Sequence, residues 1–144
     1  MDADLSTDLG AFPLLVEPLI NAECDVVIGS RLLEPRKTTR CRKREALSRC
    51  YNWLLQASLG VRFRDAQCGF KAITRATARE LLPLVQNTNW FFDTELLVLA
   101  QRRGYRIREL PVRWVENRAT HVRVLRTGLE DLRGIARVCG LSPF

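Results

Sequence analysis

One short run of residues limits the possible folds more than any other feature of the sequence. The segment from Asp25 to Gly29 reads Asp-Val-Val-Ile-Gly, an apolar stretch that is rich in β-branched residues. Such a run is typical of a strand buried on both faces, as the strands of parallel sheets are. Parallel strands are joined by crossover connections, which are usually helices. The run therefore predicts an α/β fold.

The rest of the chain alternates between helical and extended patterns, as an α/β fold requires. Further extended segments cover Phe70 to Ile73 and Tyr105 to Val115. The second changes phase near Glu109, where a β-bulge would fit, and Pro111 places it at the edge of a sheet. The predicted helices are Thr7 or Asp8 to about Glu23, Arg44 to Leu59, Thr74 to Leu82, Asp93 to Arg103, and roughly Val122 to Cys139.

The chain carries a formal net charge of +7, from 23 lysines and arginines against 16 aspartates and glutamates. This excess predicts an anionic partner, which could be nucleic acid, an acidic membrane surface or the phosphate groups of a small ligand. No apolar stretch approaches the roughly 18 residues of a membrane span. Acidic residues stand where the basic region of a signal peptide would be, so we expect none.

The cysteines predict no metal site. No two of them form a C-x-x-C pair, and His121 is the only histidine, so a zinc centre is not expected. We expect reduced thiols of a cytosolic protein, buried as small hydrophobic side chains. The five are Cys24, Cys41, Cys50, Cys68 and Cys139.

The first motif that could carry chemistry is Asp2-Ala3-Asp4. Residues two apart in an extended segment point to the same side, roughly 6.5–7 Å apart. Two such carboxylates can converge on one divalent cation, and Mg²⁺ prefers one or two carboxylates together with phosphate oxygens of a substrate. A solvated acidic terminus would have the same sequence.

A second motif follows the predicted strand. Gly29 lets a ligand approach the backbone, Ser30 can donate a hydrogen bond, and Arg31 can bind a phosphate with two. Ligands of α/β sheets bind at this carboxyl edge. The basic loop that continues to Arg49 places several cations, Arg44 among them, at the start of the next helix, which suits a phosphate site. An ordinary basic surface loop is the alternative.

Two later motifs combine acidic, polar and aromatic residues. The first, Asp-Ala-Gln-Cys-Gly-Phe-Lys, runs from Asp65 to Lys71, and its carboxylate could position or deprotonate an acceptor. A surface turn is the simpler interpretation. The second, Trp-Phe-Phe-Asp-Thr-Glu-Leu, runs from Trp90 to Leu96. Its carboxylates are also favoured at a helix start for purely structural reasons.

In their order along the chain, these motifs resemble glycosyltransferase family 2, and in particular dolichyl-phosphate glucosyltransferases and polyprenyl-phosphate mannosyltransferases. The resemblance covers the chain to about Val138 and includes the segment Glu-Leu-Pro-Val-Arg-Trp-Val. It implies the C-terminal half of a GT-A, Rossmann-like domain, with residues 1–144 forming one partial domain that starts at the D-x-D motif. The relatives' N-terminal nucleotide-binding motifs are absent, so we expect impaired activity.

The resemblance also implies an activity. A hexose would pass from a nucleotide sugar, UDP-glucose or GDP-mannose, to a polyprenyl or dolichyl phosphate, with Mg²⁺ or Mn²⁺ as cofactor. Asp2 and Asp4 match the metal-binding pair, and Asp65 matches an aspartate near the reacting centre. The residues expected to bind substrate or phosphate are Ser30, Arg31, Arg44, Gln67 and Lys71.

We expect this protein at the cytoplasmic face of a membrane, as a peripheral protein. The last predicted helix carries Leu125, Leu129, Leu132 and Ala136 at helical spacing, with arginines on another side, and such helices can lie on anionic membranes. A core-packed helix with a solvated face is the alternative. The chain as a whole could also be a nucleic-acid-binding module, although no known motif supports that, or a non-catalytic glycosyltransferase remnant.

Overall fold

The computed structural model describes residues 9–34, 38–39, 42–115 and 124–140. Its strands are β1 (Val26–Ser30), β2 (Thr38–Thr39), β3 (Lys71–Ile73), β4 (Ile107–Pro111) and β5 (Trp114–Val115). Its α-helices are α1 (Phe12–Ile20), α2 (Arg42–Leu59), α3 (Arg75–Leu81), α4 (Phe92–Arg102) and α5 (Val124–Gly140). Short 3-10 turns cover Leu9–Ala11 and Leu82–Leu84. The α/β fold class predicted from the sequence is confirmed.

The larger sheet is mixed and has β1 at its centre, in the order β3-β1-β4. β1 runs parallel to β4, in agreement with the parallel strand predicted for this run, and antiparallel to β3. The pairing of β1 with β4 is continuous from Val26–Ile107 to Ser30–Pro111, so the bulge predicted near Glu109 is absent. The break comes instead at Val112 and Arg113, before β5 pairs with β2. Pro111 lies on the outer described strand, as predicted.

β1 is buried along its whole length because helices cover both faces of the sheet. Val26 and Ile28 pack into the larger hydrophobic cluster, which also contains residues of α2, α4 and α5. Val27 points to the opposite face, as alternation along a strand requires, and packs with Leu15 of α1 and with Phe70. This two-sided burial explains why the strand shows no polar alternation.

The helices α2 to α5 begin and end close to the predicted bounds, whereas α1 is shorter than the predicted helix, which ran to about Glu23. Local hydrogen bonds account for one of the starts. The Thr74 hydroxyl accepts a hydrogen bond from the backbone N–H of Thr77, which caps α3. None of the described helices is long and apolar enough to cross a membrane.

The core side of α5 differs from its apolar sequence stripe. Asp131, Gly134, Ile135 and Val138 are buried, whereas Leu132 is 52% exposed. A methyl group on Gly134 would lie 2.5–2.7 Å from three carbons of the Phe91 ring, so α5 approaches α4 closely there. The helix therefore packs through its small and aliphatic residues and turns Leu132 outward.

The prediction that the cysteines are buried holds for only part of the set. Cys24 and Cys68 are buried free thiols, but Cys50 and Cys139 are exposed on α2 and α5. The sequence prediction was therefore wrong for these two. Cys41 lies outside the described residues.

Candidate functional site

The carboxyl end of β1 brings together several of the residues predicted from the sequence. Gly29 has no room for a side chain, because a Cβ atom there would lie 2.9 Å from Val112 Cγ1 and 3.2 Å from the Phe70 carbonyl oxygen. Its backbone N–H donates to that carbonyl at 2.7 Å. Ser30 is only 1% exposed, and its Oγ has no hydrogen-bond partner among the described residues. A buried hydroxyl without a partner is uncommon and marks a site that a ligand oxygen could complete.

Arg31 and Asp65 form a buried, bidentate ion pair. Arg31 Nη2 donates to Asp65 Oδ1 at 2.8 Å, and Arg31 Nε donates to Oδ2 at 2.8 Å. The backbone N–H of Arg31 donates to the same Oδ2 at 3.0 Å. The Asp65 side chain is fully buried and that of Arg31 is 10% exposed. Both carboxylate oxygens are thus occupied, and the plane of the guanidinium is fixed at the end of β1.

Two side chains that sequence reasoning did not select hold the loop around Asp65. Glu109 Oε1 accepts hydrogen bonds from the backbone N–H groups of Arg64, at 2.8 Å, and Asp65, at 3.3 Å. Asn52 Oδ1 accepts from the backbone N–H of Ala66 at 3.0 Å. Burial raises the pKa of the Glu109 carboxyl, and these backbone donors oppose the shift. No sequence signal links these residues to Asp65, since 44 and 14 positions separate the partners.

Lys71, at the end of the same motif, forms an ion pair inside the protein. Its Nζ lies 2.9 Å from Asp93 Oδ1 at the start of α4, and the Lys71 side chain is 11% exposed. Burial lowers the pKa of the Lys71 ammonium, while the Asp93 carboxylate opposes that shift. The two late sequence motifs therefore meet through their charged residues.

Gln67 points toward α5. Its Nε2 donates to Asp131 Oδ2 at 3.3 Å, and Tyr51 Oη and Thr94 Oγ1 lie 3.1 Å apart beside it. Burial raises the pKa of the Asp131 carboxyl to about 6, and burial also raises that of Tyr51. The loop from Asp65 to Lys71 is thus tied to β1, α2, α4 and α5 at once.

Glu95 of the Trp-Phe-Phe-Asp-Thr-Glu-Leu motif has a structural position. It is 1% exposed and accepts hydrogen bonds from the backbone N–H of Asn87 and from Arg137 Nη2, both at 2.8 Å. Glu95 therefore joins the start of α4 to α5 and to the segment before α4. The aromatic residues of the motif differ in burial, since Phe91 is fully buried and Trp90 is 56% exposed.

The remaining predicted site residues cannot be placed. Asp2 and Asp4 lie outside the described residues, and so does the side chain of Arg44, whose backbone belongs to the first turn of α2. Within the described part of the chain, no group of three or more His, Cys, Asp or Glu side chains could hold a metal ion. The metal site stays a prediction that rests on the first residues.

Comparisons with known proteins agree with the motif resemblance. Glycosyltransferase AglD of Haloferax volcanii is 43% identical over 125 residues, which cover 87% of this chain and 20% of that protein. A dolichyl-phosphate beta-glucosyltransferase of Trichomonas vaginalis is 37% identical over 123 residues, or 81% of this chain and 36% of the relative. The Saccharomyces cerevisiae enzyme of the same name is 36% identical over 95 residues, or 63% and 28%. No protein-family model matches the chain.

The chain thus spans about a fifth to a little over a third of the length of these curated relatives. Its small mixed α/β sheet with flanking helices is consistent with one portion of a GT-A glycosyltransferase domain. The aligned part includes the Arg31–Asp65 pair and the motifs that meet around it. By sequence and fold, this chain matches one part of family 2 glycosyltransferases that resemble the dolichyl-phosphate glucosyltransferases.

Proposed function

We propose that this chain belongs to an enzyme that transfers a hexose from a nucleotide sugar, UDP-glucose or GDP-mannose, to a polyprenyl or dolichyl phosphate. One observation carries the proposal, namely the 43% identity to a glycosyltransferase over 87% of the chain. Several further relatives are named dolichyl-phosphate beta-glucosyltransferases. The described geometry supports it, because a buried serine and a fixed arginine lie at the carboxyl end of a central strand.

Ser30 and Arg31 are the residues to which we assign phosphate binding. The buried Ser30 hydroxyl has no partner among the described side chains and can donate to a phosphate oxygen. Asp65 orients the Arg31 guanidinium through two hydrogen bonds, so no rotamer freedom is lost when an anion binds. Arg44 would add a cation from the start of α2, where the helix dipole also favours an anion.

Asp65 acts, in this proposal, mainly as a positioning residue for Arg31. Its two oxygens already accept three hydrogen bonds, so a role as proton acceptor at the reacting centre would require the pair to open. An acceptor phosphate is anionic near neutral pH and needs positioning rather than deprotonation. Gln67 and Lys71 are likewise engaged, with Asp131 and Asp93, and their predicted contact with substrate stays a prediction.

The reaction would be a direct displacement at the anomeric carbon of the donor sugar. Arg31 and Ser30 would hold phosphate oxygens in place and stabilise negative charge as it develops in the transition state. Asp2 and Asp4 would hold Mg²⁺ or Mn²⁺, which neutralises charge on a leaving diphosphate when it is bound. The chain's own contribution in the described region is orientation and charge.

A thermal-unfolding titration tests whether this chain builds a donor site. The melting midpoint is measured with Mn²⁺ alone, with UDP-glucose or GDP-mannose alone, and with metal and sugar together. We expect a rise only with both, because ligands that bind the native state alone stabilise it. Asp2→Ala and Ser30→Ala should lose the rise, whereas Ser58→Ala, whose hydroxyl is exposed on α2, should keep it.

A transfer assay tests the activity itself. It uses a longer protein that contains this sequence, where the genome encodes one. Labelled hexose is followed into polyprenyl phosphate, and Asp2→Ala should abolish incorporation. Unchanged turnover of this variant at saturating metal would contradict the metal assignment. A midpoint that responds to neither metal nor sugar, together with no transfer, would contradict the proposed function for this chain.

We also propose a peripheral position at the cytoplasmic face of a membrane, where a lipid acceptor would be reached. On α5, Leu132 and Ala136 are exposed one turn apart beside the exposed Arg133, as in a helix that lies on an anionic bilayer. Flotation with vesicles that contain anionic lipid is the measurement. Leu132→Asp should reduce binding several-fold, while Leu82→Asp, at a residue 46% exposed in the 3-10 turn after α3, should not. Equal flotation of the two variants would remove this surface from the proposal.

A further inference from the structure

A small cavity between α5 and the segment before α4 takes no part in the proposed reaction. Its volume is about 300 Å³, which is at the small end of ligand pockets. One wall is the helix and the other is the loop that leads to α4. The described lining residues are Asn87, Asn89, Glu130, Arg133, Gly134 and Arg137. None of them was predicted from the sequence to bind a substrate, a phosphate or a metal.

One buried carboxylate holds the two walls of the cavity together. Glu95 Oε2 accepts hydrogen bonds from the backbone N–H of Asn87 and from Arg137 Nη2, both at 2.8 Å. Asn87 Oδ1 accepts from the backbone N–H of Asn89 at 2.8 Å, so the side-chain NH₂ group of Asn87 remains a donor. Gly134 permits the close approach of α5 to α4. The cavity is therefore preformed, and its lining groups are held in place by the fold.

The two arginines of the cavity keep donors that no described residue accepts. Arg137 Nε is buried and has no hydrogen-bond partner in the described part of the chain, although Nη2 is engaged with Glu95. A buried N–H without an acceptor is uncommon, and an acceptor supplied by a ligand would complete it. Arg133 lies one turn earlier, is exposed, and joins no ion pair with a described residue. Residues four apart on a helix are neighbours, so both guanidinium groups can reach one ligand.

The donors of the cavity, rather than its net charge, favour an oxyanion. Two guanidinium groups and two side-chain amides line it, whereas Glu130 is the one acid among the described lining residues and opposes the binding of an anion. The Arg137–Glu95 pair is neutral as a whole, and Arg133 adds a cation beside it. The α5 residues whose side chains are not described, 124–127 and 129, include no acid, so they bring no further negative charge to this helix.

We propose that this cavity binds a phosphate group, held by Arg133, by Arg137 Nε and by the side-chain amides of Asn87 and Asn89. Phosphate offers several acceptor oxygens, and the planar guanidinium of arginine matches it with paired hydrogen bonds. The phosphate belongs either to a lipid headgroup or to a soluble compound, since the recognising chemistry is the same. None of these residues takes part in the proposed hexose transfer, so the site does not depend on it.

A titration with inorganic phosphate, followed by NMR of the isotope-labelled chain at constant ionic strength, tests the site. We expect the side-chain amide signals of Asn87 and Asn89 and the Nε–H signal of Arg137 to shift together and to saturate. Arg133→Gln should weaken phosphate binding about tenfold, as the loss of one charge-assisted hydrogen bond does. Arg79→Gln removes an exposed arginine from α3 and should leave the affinity unchanged.

Flotation with vesicles distinguishes the two sources of the phosphate. Vesicles of phosphatidylcholine alone are compared with vesicles that also contain phosphatidic acid, in the presence and absence of saturating free phosphate. A lipid fits the position, because the exposed Leu132 and Ala136 lie beside Arg133 on α5. Competition by free phosphate, with weaker flotation of Arg133→Gln, would assign the site to a lipid headgroup. Flotation that neither of them changes would assign it to a soluble phosphate compound.

Three results of the titration would overturn the inference. The first is the absence of a saturable shift with phosphate, or an equal shift with chloride at the same ionic strength, since screening alone would then explain it. The second is the same phosphate affinity in Arg133→Gln as in the wild type. The third is weaker binding in Glu130→Gln, because removal of the opposing acid should tighten it. Arg133 is the test position because no described contact of the fold needs its side chain, whereas Arg137 also holds Glu95. A failed transfer assay would leave all these signals unaffected.

Discussion

The buried Arg31–Asp65 pair allows the sharpest test of the structure. Replacing Asp65 by Leu leaves the guanidinium, which is 10% exposed, without its partner, and also leaves the backbone N–H of Arg31 without an acceptor. Removing one member of a buried ion pair costs about 3–5 kcal/mol of unfolding free energy. Asp65→Leu should therefore lose about that amount, which is a large part of the stability of a domain this size.

Replacing both partners should cost much less. In Arg31→Met combined with Asp65→Leu neither charge of the pair remains, and well-packed apolar replacements of buried ion pairs are often neutral. The backbone N–H of Arg31 still lacks its acceptor, which costs about 1–3 kcal/mol. We therefore expect a coupling energy of about 2 kcal/mol or more between the two positions, obtained from a double-mutant cycle.

Urea unfolding, followed by far-ultraviolet circular dichroism and by tryptophan fluorescence, gives the unfolding free energies of the wild type, the two single variants and the double variant. The matched control is Glu45 and Arg49, an i,i+4 pair on α2 whose side chains are 34% and 50% exposed. Its coupling energy should be about 0.3–0.5 kcal/mol, as for other exposed helix pairs. If the buried and exposed pairs gave equal coupling energies, the inference that Arg31 and Asp65 form a desolvated bidentate pair would be refuted.

Three further predictions concern parts of the fold that support the site. Gly134→Ala should destabilise the chain by about 1–3 kcal/mol, because the new methyl group overlaps the Phe91 ring, whereas Gly128→Ala, with open space around it, should not; thermal unfolding compares the two. Thr74→Ala removes the α3 cap and should cost about 1 kcal/mol in the same assay, with Thr88→Ala, exposed in a loop, as control. Burial raises the folded-state pKa of Glu109 above 4.5, so the contribution of Glu109 to the unfolding free energy is present below that pH and is lost as pH rises through the folded pKa. Glu109→Gln should remove this fall from the pH dependence of the unfolding free energy. An unfolding free energy with the same pH profile in the variant and the wild type would contradict the prediction.

Local pattern was sufficient for most elements of this fold, but it missed β2, which lies in the segment predicted as a basic loop. The Val-Val-Ile run predicts β1 because a strand covered on both faces needs no polar alternation, and clusters on both faces do cover it. Glycine at the end of that strand is explained by the close approach of Val112 and Phe70, which the sequence could not show. The antiparallel partner β3 was also beyond the pattern, since an apolar run does not encode the direction of its neighbour.

Contacts between distant residues explain what the sequence left open at the site. Arg31 and Asp65 are 34 positions apart, and each was predicted alone as a ligand or catalyst. Their pairing changes the chemistry expected of Asp65, because a carboxylate with both oxygens occupied orients a cation more readily than it accepts a proton. Glu109 and Asn52 were missed for a related reason. Their side-chain oxygens accept hydrogen bonds from backbone N–H groups, and every residue except proline has such a group, so the sequence does not show where these contacts form.

In the last helix, α5, the side chains that pack into the core are not those of the apolar stripe seen in the sequence. Its apolar stripe suggested a helix that lies on an anionic membrane, with a core-packed helix as the alternative. In the structure, Leu132 is 52% exposed while Asp131, the residue before it, is 4% exposed. Gly134 accounts for this orientation, because only a residue without a side chain lets α5 approach the Phe91 ring. Once α5 is placed by that contact, Asp131 must enter the interior, where Gln67 is its hydrogen-bond donor. The burial of the acid is therefore a consequence of helix packing.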